Sequence, residues 1–102
     1  MTDLLFLATE AGVAIARRDG EGWRHVARSL TGQPVTSVMA RDGVVLAGTL
    51  DGLWRSDDRG QTWQAASAGL THRHVRWLAT HPDAPNCVLV GTEPAAIFTS
   101  RD

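Results

Sequence analysis

Shifted against itself by 40 residues, this chain matches at fixed points that include Thr9 with Thr49, Gly12 with Gly52, Gly20 with Gly60, and Trp23 with Trp63. A unit of that length cannot bury its apolar face alone, so a sustained period near 40 demands that like units stack on one another. The first two copies read LLFLATEAGVAIARRDGEGW and VVLAGTLDGLWRSDDRGQTW. A third starts at Cys87 as CVLVGTEPAAIFTSRD, with one extra residue at Pro94.

Each copy reads as strands. Residues 4–9, 44–49 and 87–92 are short apolar runs that end in Thr, and residues 13–16, 53–56 and 96–100 follow after a short turn. Residues 23–28 and 63–67 form a further strand, and 35–40 and 75–80 supply the remaining one. No stretch of a dozen residues keeps a helical period, so the expected class is all-β.

The segment Ser56-Asp57-Asp58-Arg59-Gly60-Gln61-Thr62-Trp63 fits Ser-x-Asp-x-Gly-x-Thr-Trp at every fixed position. A tight turn needs a side-chain acceptor for backbone N–H groups that the ladder leaves unpaired, a role that suits Asp58 with the Ser56 hydroxyl beside it. Gly60 is expected at positive φ, where a Cβ is resisted, and Trp63 is expected to open the next strand with its ring over the turn.

This pattern resembles the Asp-box, or BNR repeat, of β-propeller blades, found in sialidases, sortilin-type receptors and a photosystem II assembly factor. The resemblance implies four-stranded antiparallel blades, with the box remote from the ligand-binding face. Ser56, Asp58, Gly60, Thr62 and Trp63 are then structural, and no catalytic residue is expected among them. On this reading residues 1–34 supply strands B, C and D of one blade. Residues 35–67 form a whole blade, and 75–102 give strands A, B and C of a third, cut inside its own box at Ser100-Arg101-Asp102. The first box is degenerate, with Ala16 and Arg18 in place of the Ser and Asp, which puts Arg17-Arg18 in its turn. Rings need roughly 4 to 8 blades. About two and a half are present, so the expectation is an N-terminal part of a longer propeller whose remaining blades close the ring.

Propellers of this type bind at the mouth formed by the B–C turns and the D–A connections. That mapping puts Glu10, Asp51 and Glu93 on equivalent turns, and brings Thr71-His72-Arg73-His74 to the same side. Acidic groups beside His72, Arg73 and His74 could hold a polar ligand; the plainer reading is solvated turn chemistry, since Asp-Gly is a common turn pair. His72 and His74 are two possible zinc ligands, but a site needs three or four, so no metal is expected. Trp77 could stack on a ligand in the channel, with packing between blades favoured; Trp54 is expected between blades.

Composition narrows the partners. A net charge of −1 offers no argument for nucleic acid or for an anionic membrane. The single cysteine, Cys87, sits in an expected buried strand and can form no disulfide within the chain. The N-terminus lacks a basic n-region and no 18-residue apolar run exists, so the expected location is cytoplasmic. Two functions follow from the resemblance. One is a non-catalytic scaffold, free of cofactor, whose mouth loops bind a protein or small ligand. The other is part of a sialidase-like glycoside hydrolase whose catalytic residues lie outside this chain. The chain has no Tyr and lacks the early Arg-Ile-Pro type motif of those enzymes, which favours the scaffold.

Overall fold

Strand pairing assigns each residue of this chain to one of two sheet faces, because side chains alternate along a strand. The computed structural model describes residues 4–20, 22–41, 43–67, 70, 73–81, 84–94 and 96–100, with backbone alone at 19, 81, 84–86 and 100. Among these residues are ten strands in three antiparallel sheets, and no helix. Sheet 1 contains β1 (Leu4–Thr9), β2 (Gly12–Asp19) and β3 (Gly22–Ser29). Sheet 2 contains β4 (Val35–Arg41), β5 (Val44–Thr49), β6 (Gly52–Ser56) and β7 (Gln64–Ala65). Sheet 3 contains β8 (His74–His81), β9 (Ala84–Glu93) and β10 (Ala96–Ser100).

Every sheet is a meander, and the sheets stack face to face in chain order. Between sheets 1 and 2 the core is Val13, Ile15, Val35 and Ala47, flanked by Leu4, Phe6, Trp54 and Trp63. Between sheets 2 and 3 it is Leu53, Val75, Val88 and Val90, flanked by Leu46, Leu78 and Phe98. The period-2 apolar pattern of each strand therefore serves two interfaces at once in the middle sheet.

Close approach at the second interface depends on Gly48. A Cβ there would lie 2.7 Å from Ser37 Oγ and nearer still to Val75 Cγ1. The Thr36 hydroxyl sits beside it, within hydrogen-bonding reach of the Gly48 carbonyl (3.1 Å) and of the Val75 carbonyl, which ties β4 to β8.

Three expectations change. The strand expected over 63–67 is only Gln64–Ala65, because the preceding turn holds Trp63 off the ladder. Arg17 and Arg18 are not in a turn: β2 runs on to Asp19 and pairs with Gly22, so a two-residue hairpin replaces the degenerate box. Cys87 is half-buried on the outer face of sheet 3. Trp77, 42% exposed with its ring over Gly91, lies on that face too, the one equivalent to the face sheet 2 packs against sheet 3. Trp54 does pack between sheets, as expected. The end of the third copy, residues 101–102, lies outside the described residues.

Candidate functional site

Two ends of the sheets carry organised polar groups. At one end lies the 56–63 turn, built around two acceptors. Ser56 is buried; its hydroxyl accepts from Gly60 N–H at 2.8 Å and donates to Asp58 Oδ1 at 2.7 Å. Asp58 Oδ1 also accepts from the N–H groups of Gln61 (3.1 Å) and Thr62 (2.8 Å), while Oδ2 accepts from the Thr62 hydroxyl at 2.6 Å. The Thr62 hydroxyl and N–H, then the Ser56 hydroxyl, hold the Asp58 carboxyl down to about 2, against the opposing effect of burial. Such a carboxylate is ionised and fully engaged near neutral pH, which suits it to fixing a turn and not to moving a proton.

Backbone geometry completes this turn. Arg59 and Gly60 take φ of 61° and 87°, and Arg59 N–H donates to Gly43 O at 3.2 Å. Gly60 is also at a contact between sheets, since a Cβ there would meet Ile15 Cδ1 at 3.2 Å and Phe6 Cε1 at 3.3 Å of sheet 1. Trp63 crosses the same boundary, its indole N–H donating to Ser29 Oγ at 2.9 Å. The turn thus clamps sheet 2 onto sheet 1.

The opposite end carries the turns between first and second strands of each copy. Thr9 Oγ1 accepts from Ala11 N–H (3.1 Å) and donates to Gly12 O (2.7 Å). Thr49 repeats this with Asp51 N–H (3.0 Å) and Gly52 O (2.9 Å). Thr92 Oγ1 donates to Pro94 O at 3.0 Å in the longer third turn. The chain entering the next sheet runs alongside: Gly32 N–H donates to Ala11 O (3.1 Å) and Gly52 N–H to Arg73 O (2.5 Å). Gly12, at φ 131°, leaves room for this, since a Cβ there would lie 2.5 Å from Ser29 O.

Charged residues decorate that scaffold. Asp51 Oδ1 accepts from Arg73 Nε at 2.8 Å, and Glu93 Oε2 from Arg76 Nη1 at 3.5 Å, all four side chains being largely exposed. His74 is half-buried and lies opposite Glu93 in the β8–β9 register. Glu10 is exposed on the first turn. Of the residues singled out on sequence, the structure brings together Asp51 with Arg73, and His74 with Glu93 across the ladder. His72 and Thr71 lie outside the described residues. Among the described residues no group of three His, Cys, Asp or Glu side chains could hold a metal. Arg76 had no assigned role on sequence; the bulge between Val75 and Trp77 turns it toward Glu93. The recurring Thr-x-x-Gly was the legible signal for the turn locks.

No family model and no curated protein matches this sequence. Among solved structures, the chain is similar to YCF48 bound to a D1 peptide, with a TM-score of 0.65 and 18% identity. The match covers 99% of this chain and 34% of that one, so the chain spans about a third of the length of the protein it resembles. At that identity the likeness establishes fold: the three stacked sheets are those of a β-propeller, open in this chain.

Proposed function

We propose that the chain is an Asp-box propeller segment that acts as a non-catalytic scaffold, binding an extended protein segment at the end that carries Asp51, Arg73, Arg76 and Glu93. The 56–63 turn is then an Asp-box, an architectural clamp with no part in binding. One observation carries the reading: the locked Thr turns place ion-paired Asp51–Arg73 and Glu93–Arg76 on neighbouring sheets at the same end. Exposed pairs of this kind exchange partners at small cost, and offer donors and acceptors of both signs to a peptide backbone and its side chains. Carboxylates held by guanidinium groups are less suited to general acid–base work. YCF48 in its peptide-bound form shares this fold, an analogy that supports the class of partner by association alone.

Selection from a random peptide display library tests the proposal. Wild-type chain should enrich charged peptides, and Arg73→Ala with Arg76→Ala should abolish the enrichment without unfolding the chain. Enrichment that survives both substitutions would place binding elsewhere. Turnover of a fluorogenic sialoside by a ring-closed protein that carries this segment would favour the hydrolase reading, whose catalytic residues lie outside the chain.

A further inference from the structure

Three strand sequences in this chain are close copies: LLFLAT in β1, VVLAGT in β5, and CVLVGT over residues 87–92 of β9. Two of them are internal strands, β5 lying between β4 and β6, and β9 between β8 and β10. β1 pairs with β2 on one edge, and among the described residues no strand pairs with its other edge. The strands that end sheets 2 and 3 on that side are built differently. β4 and β8 each have a bulge, between Val35 and Ser37 and between Val75 and Trp77, and each carries an arginine, Arg41 and Arg76. Bulges and charges are the devices that keep a sheet edge from pairing further. β1 has neither: six uncharged residues pair with β2 without a register shift. It has the composition of an internal strand and stands at an edge, which makes it a template for one more strand.

We propose that the open edge of β1 takes up an extended segment of a partner protein, antiparallel, in the place that β4 holds beside β5 and β8 beside β9. The two registers state what such a segment needs. Val35 and Val75, both buried, stand opposite Thr49 and Thr92. Val38 and Leu78 stand opposite Ala47 and Val90, and Ala40 and Thr80 opposite Val45 and Val88. On β1 those places are held by Thr9, Leu7 and Leu5. The segment therefore carries Val, an aliphatic residue three positions on, and a small residue two beyond that. Leu7 and Leu5, 45% and 39% exposed, would each gain a cross-strand neighbour. One strand brings sheet 1 level with sheets 2 and 3, whose last strands on that side are β4 and β8, whereas a second copy of the chain would add a whole sheet beyond that line. The edge is also preformed: the core between sheets 1 and 2 closes without an occupant, with Val13 0% and Ile15 6% exposed, as a segment arriving from a separate protein requires. None of these residues belongs to the ion-paired turns, so the site is additional to the surface proposed above.

Fluorescence anisotropy with a labelled peptide of the β4 sequence, Val35–Arg41, tests the proposal on the 102-residue chain. The peptide should bind, and its Val38→Asp form, with a charge opposite Leu7, should bind more weakly by roughly fivefold or more. Successive N–H groups of a strand point to opposite edges, so peptides N-methylated at Val38 or at Met39 should differ. One loses a ladder hydrogen bond and should weaken by roughly fivefold or more, while the other should change less than about twofold. In the protein, Leu5→Lys puts a charge on the edge and should weaken binding by roughly fivefold or more, with circular dichroism confirming that the strands persist. Arg73→Ala with Arg76→Ala should leave this peptide's affinity within about twofold, which separates the site from the ion-paired turns. The proposal is overturned if the peptide does not bind, if both N-methylated peptides bind alike, or if Leu5→Lys binds as wild type does. It is equally overturned if sedimentation shows a dimer of the chain that Leu5→Lys dissociates, since the occupant would then be a second copy.

Discussion

Gly48→Ala is the substitution that most directly tests how the sheets are held together. The residue is in ordinary β conformation, and the equivalent place one unit earlier is Ala8, so a Cβ is acceptable to the backbone itself. What opposes it is the neighbouring sheet: the new carbon would overlap Val75 Cγ1 and lie 2.7 Å from Ser37 Oγ. Val75 is 0% exposed, so relief requires β8 to back away from sheet 2. Overpacking of this kind costs about 1–3 kcal/mol. Val75→Ala alone removes two methyl groups, about 1.6 kcal/mol of transfer at ~0.8 per carbon, plus about 1 kcal/mol for a cavity of roughly 40 Å³. Since the Cβ introduced at position 48 would occupy space vacated by Val75, the double variant should cost about 1–2 kcal/mol, well below the sum of the singles. Urea unfolding followed by tryptophan fluorescence measures all three. Additivity within about 0.5 kcal/mol would refute the reasoning, because it would mean that the two positions do not share that space.

Asp58 gives a pH test. Its folded carboxyl is held down to about 2 from an ordinary 3.8, so its contribution is present above pH ~4 and is lost as pH falls through about 2. Asp58→Ala should lower the urea midpoint at pH 7 and flatten its decline between about pH 4 and 2; a decline identical to wild type would remove Asp58 as the cause. Trp63→Phe keeps most of the ring but loses the bond to Ser29, and should cost about 0.5–1.5 kcal/mol in the same assay. Arg73→Ala should change stability by no more than about 1 kcal/mol, because its pair with Asp51 is exposed, while peptide enrichment disappears. A large loss of stability would recast that pair as a structural tie.

The all-β class and the strand positions were legible because the apolar runs and turn residues recur at a fixed spacing. Asp58, Ser56 and Gly60 could be assigned their local roles from chemistry alone, since each acts within a few residues of itself. What the sequence did not disclose was long-range. Trp63 carries a polar handle that finds Ser29, 34 residues earlier, and no local pattern announces that bond. The shift of 40 equated Arg18 with Asp58, yet the loss of the Ser56 and Asp58 acceptors allowed β2 and β3 to zip further and move both arginines onto a strand. Trp77 covers Gly91 at the place that Ser37 holds in sheet 2 beside Gly48, on the face that sheet 2 turns toward the following sheet.

The threonine-locked turns have a consequence for how such a surface can change over time. In the first two turns the hydroxyl of Thr9 or Thr49 and the backbone it holds define the bend, with Gly12 or Gly52 closing it. The two residues between them, Glu10-Ala11 and Leu50-Asp51, contribute backbone to that lock, and their side chains are spared from it. Substitution at those positions can therefore alter what the rim presents without altering where the rim lies. Successive units would then diversify independently, each a short variable window in a fixed frame, and new specificities could arise there while the stacked core is left untouched.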